Sequence, residues 1–101
     1  MTKIIITNNS LLIAGHTNYA SKGKDLVCAA ISALVTGSAE IWKDNKEIET
    51  TIDEDSYYFK FNNLSKVTKI ELDFLIKHLK IISNNYSEHI KITYRDFTYC
   101  R

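Results

Sequence analysis

Two residue types that can together carry out acyl chemistry stand close to each other early in this 101-residue chain. His16 and Cys28 are twelve positions apart within the run GHTNYASKGKDLVCAAISA, residues 15–33. A cysteine thiolate is a strong nucleophile, and a neighbouring imidazole can draw off its proton and later protonate a leaving amine. For that chemistry the elements on either side must fold the two residues together. An apolar strand ending at Gly15-His16 would put the imidazole at a sheet edge. Residues 17–24 lack apolar periodicity and read as a loop, with Gly23 suited to a tight turn or a positive φ. Asp25 is then the expected N-cap of a helix in which Cys28 is the third residue. Unpaired amides and the positive end of the helix dipole favour an anion in that first turn.

Helical phase singles out Cys28 a second time. At about 100° per residue, Leu26, Val27, Ala30, Ile31, Leu34 and Val35 form one apolar stripe, and Cys28 lies roughly 110° from its centre. Asp25 and Ser32 flank it at i−3 and i+4. A structural cysteine more often sits in mid-stripe, since free cysteine is among the most buried residue types. On spacing alone, a half-buried structural cysteine is still the commoner outcome, and His16 read by itself is a strand-end residue with a satisfied ring. Asp25 reads as a cap rather than a third catalytic group, because a carboxylate beside the thiol opposes thiolate formation unless it is turned onto the helix amides. Ser32 fits a hydrogen bond within the site and a back-bond to the helix carbonyl at position 28 equally well.

The same residues carry a family resemblance. Gly15-His16, then the loop, then Gly23, Asp25, Val27, Cys28, Ala29, Ala30 and Ser32 match the pattern G-H…G-x-D-x-V-C-A-A-x-S. This resembles the Prp family of small bacterial ribosomal-processing cysteine proteases, and length and element order extend the likeness over essentially the whole chain. The resemblance implies a Cys–His endopeptidase that removes a short N-terminal extension from a large-subunit ribosomal protein. Cys28 would be the nucleophile and His16 the general base, in a homodimer needing no cofactor or metal. Thr17, where the family often has a small residue such as alanine, and the lysines flanking Gly23 depart from the pattern and bear on the loop and on substrate preference.

The rest of the chain supplies a scaffold of ordinary type. Residues 3–7 and 11–14 read as a hairpin turning at Asn8-Asn9-Ser10, followed by the helix from Asp25 to about Trp42, weakened at Gly37. Strands are expected over 47–52 and 57–61, joined by the acidic turn 53–56. In the second of these, Tyr57, Phe59 and Phe61 share one face. A helix capped by Ser65 runs from about Lys66 to Asn84 with a broad apolar stripe of Val67, Ile70, Phe74, Leu75, Leu79, Ile81 and Ile82, and His89 to Thr93 forms a last strand. The order β-β-α-β-β-α-β gives a single α+β domain over residues 1–101, with a mixed or antiparallel sheet carrying two helices and a strand order left open.

Composition narrows the function classes. A net charge of +1 argues against nucleic acid or an anionic membrane as the main partner, and no apolar run is long enough to span a bilayer. Two cysteines 72 positions apart make neither a disulfide framework nor a metal site, which points to a reduced, cytoplasmic protein. The three histidines fall on different elements, His78 in the middle of the second helix's apolar stripe as a core residue and His89 in a solvated turn. Cys100, beside the C-terminus, reads as incidental. Two further classes stand beside the protease: a ribosome- or RNA-associated binding module using the lysine face of the second helix, and a thiol-based sensor built on Cys28.

Overall fold

The computed structural model of the protein describes residues 2–15 and 26–95. Its elements follow the expected order: β1 (Thr2–Ile6), β2 (Ser10–Ala14), α1 (Leu26–Ile41), β3 (Ile48–Ile52), β4 (Ser56–Phe61), α2 (Lys66–Asn85) and β5 (Ile90–Tyr94). The strands form one mixed sheet in the order β3-β4-β2-β1-β5. Three of its pairings are antiparallel, and β1 with β5 is parallel. Parallel neighbours need a long crossover, which here contains α2. The pairing starts with the Thr2 amide donating to the His89 carbonyl, 2.9 Å away. His89 itself is half-buried rather than solvated.

Alternation along the strands decides which face of the sheet is covered. Ile4 and Ile6 of β1, Leu11 and Ile13 of β2, Ile48 of β3, Phe59 and Phe61 of β4 and Ile90 of β5 all point into one core. Lys3, Lys60 and Lys91 point the other way and are exposed. Such alternation marks a sheet with one solvated face. Both helices contribute to the same core: Val27, Ile31, Val35 and Ala39 from α1, and Thr68, Leu72, Leu75 and Leu79 from α2. At the end of α1 Trp42 meets Phe59 edge-on, with ring centroids 5.4 Å apart, and its Nε1 donates to Glu71 Oε1 of α2 at 3.0 Å. A buried indole N–H thus finds an acceptor while its ring packs.

Three expectations about faces need correction. Leu26 does not belong to the buried stripe of α1; it is 70% exposed, and the stripe runs instead through Val27 at i+4 steps to Ala39. The expected weak point, Gly37, lies within α1, which ends at Ile41, one residue short of the expected Trp42. On α2 the broad stripe is two stripes. Leu75 and Leu79 are buried, whereas Val67, Ile70, Phe74 and Ile81 are 59–66% exposed. The buried centre and the exposed one lie about 140° apart on the wheel, too far for one flat sheet to cover both. His78 falls on the outer side of this divide: it is half-buried, its ring edge-on to Phe74 at 4.5 Å and its Nδ1 3.0 Å from the Phe74 carbonyl oxygen.

The entry to α2 is tied down from two sides. Ser65 is its N-cap, with extended dihedrals, and its hydroxyl accepts from the Thr68 amide. Thr68 is buried, and its hydroxyl is satisfied by Ser65 Oγ and Asn45 Nδ2, both 3.1 Å away. Glu47 Oε1 accepts from the Ser65 amide at 2.7 Å, and that bond holds the Glu47 carboxyl below the usual carboxylate range. Ser65→Ala is expected to cost about 1 kcal/mol, seen as a lower melting temperature with unchanged far-UV circular dichroism. A lowered carboxyl pKa contributes stability above the unfolded-state value and loses it as pH falls through the folded-state value. The melting temperature should therefore decline on acidification below about pH 4.3, and Glu47→Gln should flatten that part of the profile.

Candidate active site

The site is built where the carboxyl end of β2 meets the start of α1. β2 ends at Ala14, and the chain leaves it through Gly15 at φ 88°, a conformation that favours glycine. The Gly15 amide donates to the Asp55 carbonyl at 2.9 Å, so the exit from β2 is pinned to the turn between β3 and β4. His16 follows directly in sequence, and His16, Gly23 and Asp25 lie outside the described residues, as does the loop expected to border the substrate.

Cys28 is the third residue of α1, as expected, and is half-buried with its thiol free. Its predecessor Val27 is 1% exposed and packed into the core. One residue turns the helix by about 100°, so the thiol emerges beside the buried stripe and not within it. Cys28 lines a cleft of about 150 Å³, shared with Gly15, Ser32, Glu54, Asp55 and Tyr57. Ser32, one turn on, is exposed. Of the residues predicted for the site, Gly15, Cys28 and Ser32 are brought together here. Cys28 lies in the first turn of α1, whose amides have no acceptor within the helix, and a helix start favours an anion.

Glu54, Asp55 and Tyr57 were not expected at the site; residues 53–56 had read only as an acidic turn. They arrive through strand pairing. β2 and β4 are antiparallel neighbours with Ile13 opposite Tyr57 and Ala14 opposite Ser56, so the end of β2 and the beginning of β4 sit side by side. The turn itself is closed by the Asp53 amide donating to the Ser56 carbonyl at 2.9 Å. Tyr57 extends over α1, where its hydroxyl and that of Thr36 are 2.8 Å apart. The only signal in the sequence was the aromatic face of β4, which does not disclose its neighbour. Among the described residues no three metal-ligating side chains converge.

A model of the cysteine protease Prp family matches residues 1–91. The chain belongs to the Prp family. It is 36% identical over 94 residues to the ribosomal processing cysteine protease Prp of Mycoplasma genitalium, covering 91% of this chain and 94% of that one. The Bacillus subtilis protein of the same name is 30% identical over 93 residues, with 83% of each chain covered. The fold matches that of the Staphylococcus aureus ribosomal processing protease Prp in complex with a covalently linked product peptide, with a TM-score of 0.79 at 22% identity. That match covers 94% of this chain and all of the other. A second crystal structure of the S. aureus protein, with a substrate peptide, aligns over the same share of each chain with a TM-score of 0.81 at 20% identity.

Gly15→Ala forces a Cβ into the left-handed region at the exit of β2. It should reduce stability by about 1–2 kcal/mol, measured by urea denaturation. Alkylation of Cys28 should remain complete in the variant, because α1 is held by its own buried stripe.

Proposed function

We propose that this Prp-family chain is a Cys–His endopeptidase that removes a short N-terminal extension from a large-subunit ribosomal protein. One observation carries the reading. The thiol of Cys28 opens into a cleft whose wall includes Gly15, the residue immediately before His16. The names of the M. genitalium and B. subtilis relatives supply the substrate class. Peptide complexes of the S. aureus structure supply precedent for a peptide on this fold. The protein would act in the cytoplasm, where thiols stay reduced, and as a homodimer.

In this mechanism the Cys28 thiolate attacks the scissile carbonyl carbon, forming a C–S bond, and the π electrons move onto the oxygen. Amides of the first turn of α1 receive that oxyanion. Collapse of the intermediate breaks the C–N bond, and the leaving amine takes the proton held by His16. A thioester to Cys28 remains. Water, deprotonated by His16, then attacks it, releasing the new carboxylate and restoring the thiol. Glu54 and Asp55 line the cleft, and Ser32 stands one turn beyond the nucleophile; no step requires their protonation.

The test is incubation of the purified chain with a synthetic peptide spanning the extension and the mature N-terminus of the ribosomal protein, with products read by mass spectrometry. One cleavage is expected, and none with Cys28→Ala, whose melting temperature should stay close to that of the parent because the thiol lies outside the packed stripe. Comparable cleavage by Cys28→Ala would remove the nucleophile assignment. A chain whose Cys28 alkylates readily but cuts no peptide would instead be a thiol sensor, and one whose Cys28 is inert would be a binding module.

The pairing of Cys28 with His16 has its own readout. An imidazolium stabilises a neighbouring thiolate, so His16→Ala should shift the iodoacetamide labelling profile of Cys28 to higher pH while that of Cys100 stays in place. Superimposable Cys28 profiles in both proteins would show that the two residues do not form a pair.

A further inference from the structure

β3 is an edge strand, and nothing among the described residues pairs with its outer side. Its register with β4 decides which backbone groups are left over. The Asp53 amide donates to the Ser56 carbonyl and the Asn62 amide to the Glu47 carbonyl. Bonding alternates along an antiparallel pair, so residues 47, 49, 51 and 53 turn their backbone groups to β4. The amides of Thr50 and Ile52 and the carbonyls of Ile48, Thr50 and Ile52 therefore point outward. The Ile48 amide also points outward and is taken by the Asn45 carbonyl, 3.2 Å away.

Folded chains ordinarily blunt such an edge with lysine, proline, a bulge or a covering segment. β3 shows none of these among the described residues. It reads Ile-Glu-Thr-Thr-Ile in unbroken register, with Glu49 its one charge. β5, at the opposite edge of the sheet, carries the exposed Lys91. The Thr50 hydroxyl is sealed from solvent with no hydrogen-bond partner, although such a group ordinarily finds one.

We propose that β3 takes the substrate as a sixth strand. The segment after the scissile bond pairs antiparallel along the outer edge, with cationic side chains on the open face of the sheet. The proposal rests on the endopeptidase reading above and extends it to the part of the substrate beyond the cleft.

Position and charge argue for this occupant. Ile13, Tyr57 and Ile52 stand in one row across three neighbouring strands, and the first two line the cleft of Cys28. Ile52 ends the row at the edge and is 56% exposed. The edge lies two strand spacings from β2, about 10 Å, a gap that about three extended residues cross. β3 runs towards the cleft, so an antiparallel partner runs away from it and consists of residues that follow the cut. Antiparallel pairing is both the stabler and the commoner kind. Residues 47–55 hold five of the chain's twelve acidic residues and no cation. Lys60, opposite Glu49, is the one cation on β4. Glu49 and Asp53 share the open face of the sheet with Thr51 between them, where alternate side chains of an added strand become their neighbours. The remaining side chains of that strand lie beside Thr50 and Ile52, a place for apolar residues. A protein that binds RNA neutralises phosphates with lysine and arginine, so the mature part of a ribosomal protein supplies the cations.

The experiment titrates the full chain, isotopically labelled, with a synthetic decapeptide carrying the mature N-terminus of the ribosomal protein. Amide hydrogen exchange is read residue by residue. At saturation the Thr50 and Ile52 amides should exchange at least about tenfold more slowly. Those of Glu49 and Thr51, already bonded to β4, should keep their rates. Replacing the lysines and arginines of the decapeptide with glutamine should raise its Kd about tenfold, and Glu49→Lys should weaken binding likewise. Thr50→Pro removes an outward amide that the fold does not use and should remove the protection of Ile52, with melting recorded on both variants. Binding is read here without cleavage. A chain that cuts no peptide yet protects these two amides would lose the endopeptidase reading and keep β3 as a peptide-binding edge. A chain that cuts the spanning peptide but exchanges Thr50 and Ile52 equally with and without the decapeptide would overturn the sixth strand. Protection that appears without peptide and rises with chain concentration would place a second copy at the edge and overturn it as well.

Discussion

Burial of the Val27 side chain against the sheet is the constraint on which the site depends. Val27, Ile31 and Val35 are almost sealed from solvent and lock the rotation of α1 about its axis. A helix held on that stripe cannot choose where its neighbouring residue points, and Cys28 must emerge about 100° away. It does so in the first turn of α1, at the cleft. Cys28 thus sits on a rigid element, oriented by packing several residues long. A side chain placed on a helix in this way is held more closely than one on a loop.

The second half of the cleft depends on strand order. β4 could have paired at either edge of the β1–β2 hairpin, and only its place beside β2 brings Glu54, Asp55 and Tyr57 to Cys28. Two long-range bonds secure that arrangement: the Gly15 amide to the Asp55 carbonyl, and the contact between the Tyr57 and Thr36 hydroxyls. The first joins the exit of β2 to the turn, and the second joins β4 to α1. The cleft is therefore enclosed by three elements that are distant in sequence.

α2 answers to a different set of demands. Leu72, Leu75 and Leu79 close the core, Trp42 and Glu71 tie the helix to the end of α1, and Ser65 with Glu47 fixes its first turn. These contacts use one side of the helix. The remainder divides between a lysine arc and an apolar arc, which is why one helix displays both solvated charge and exposed aromatic surface.

Much was determined by the sequence alone. Alternation and helical period placed all seven elements to within a residue or two, since a strand or helix must bury one face to form and that face is written locally. The motif from Gly15 to Ser32 named the family, and the position of Cys28 on the third residue of α1 followed from capping and phase. The strand order was not legible, because pairing β4 with β2 is decided by complementarity between surfaces fifty residues apart. Nor was the division of the apolar residues of α2. Leu75 and Phe74 are equally hydrophobic and adjacent in the chain, and only the position of the sheet on one side of the helix determines which of them is covered. The acidic turn shows the same limit: its composition announced a loop, while its place beside a cysteine came from the tertiary pairing of β2 with β4.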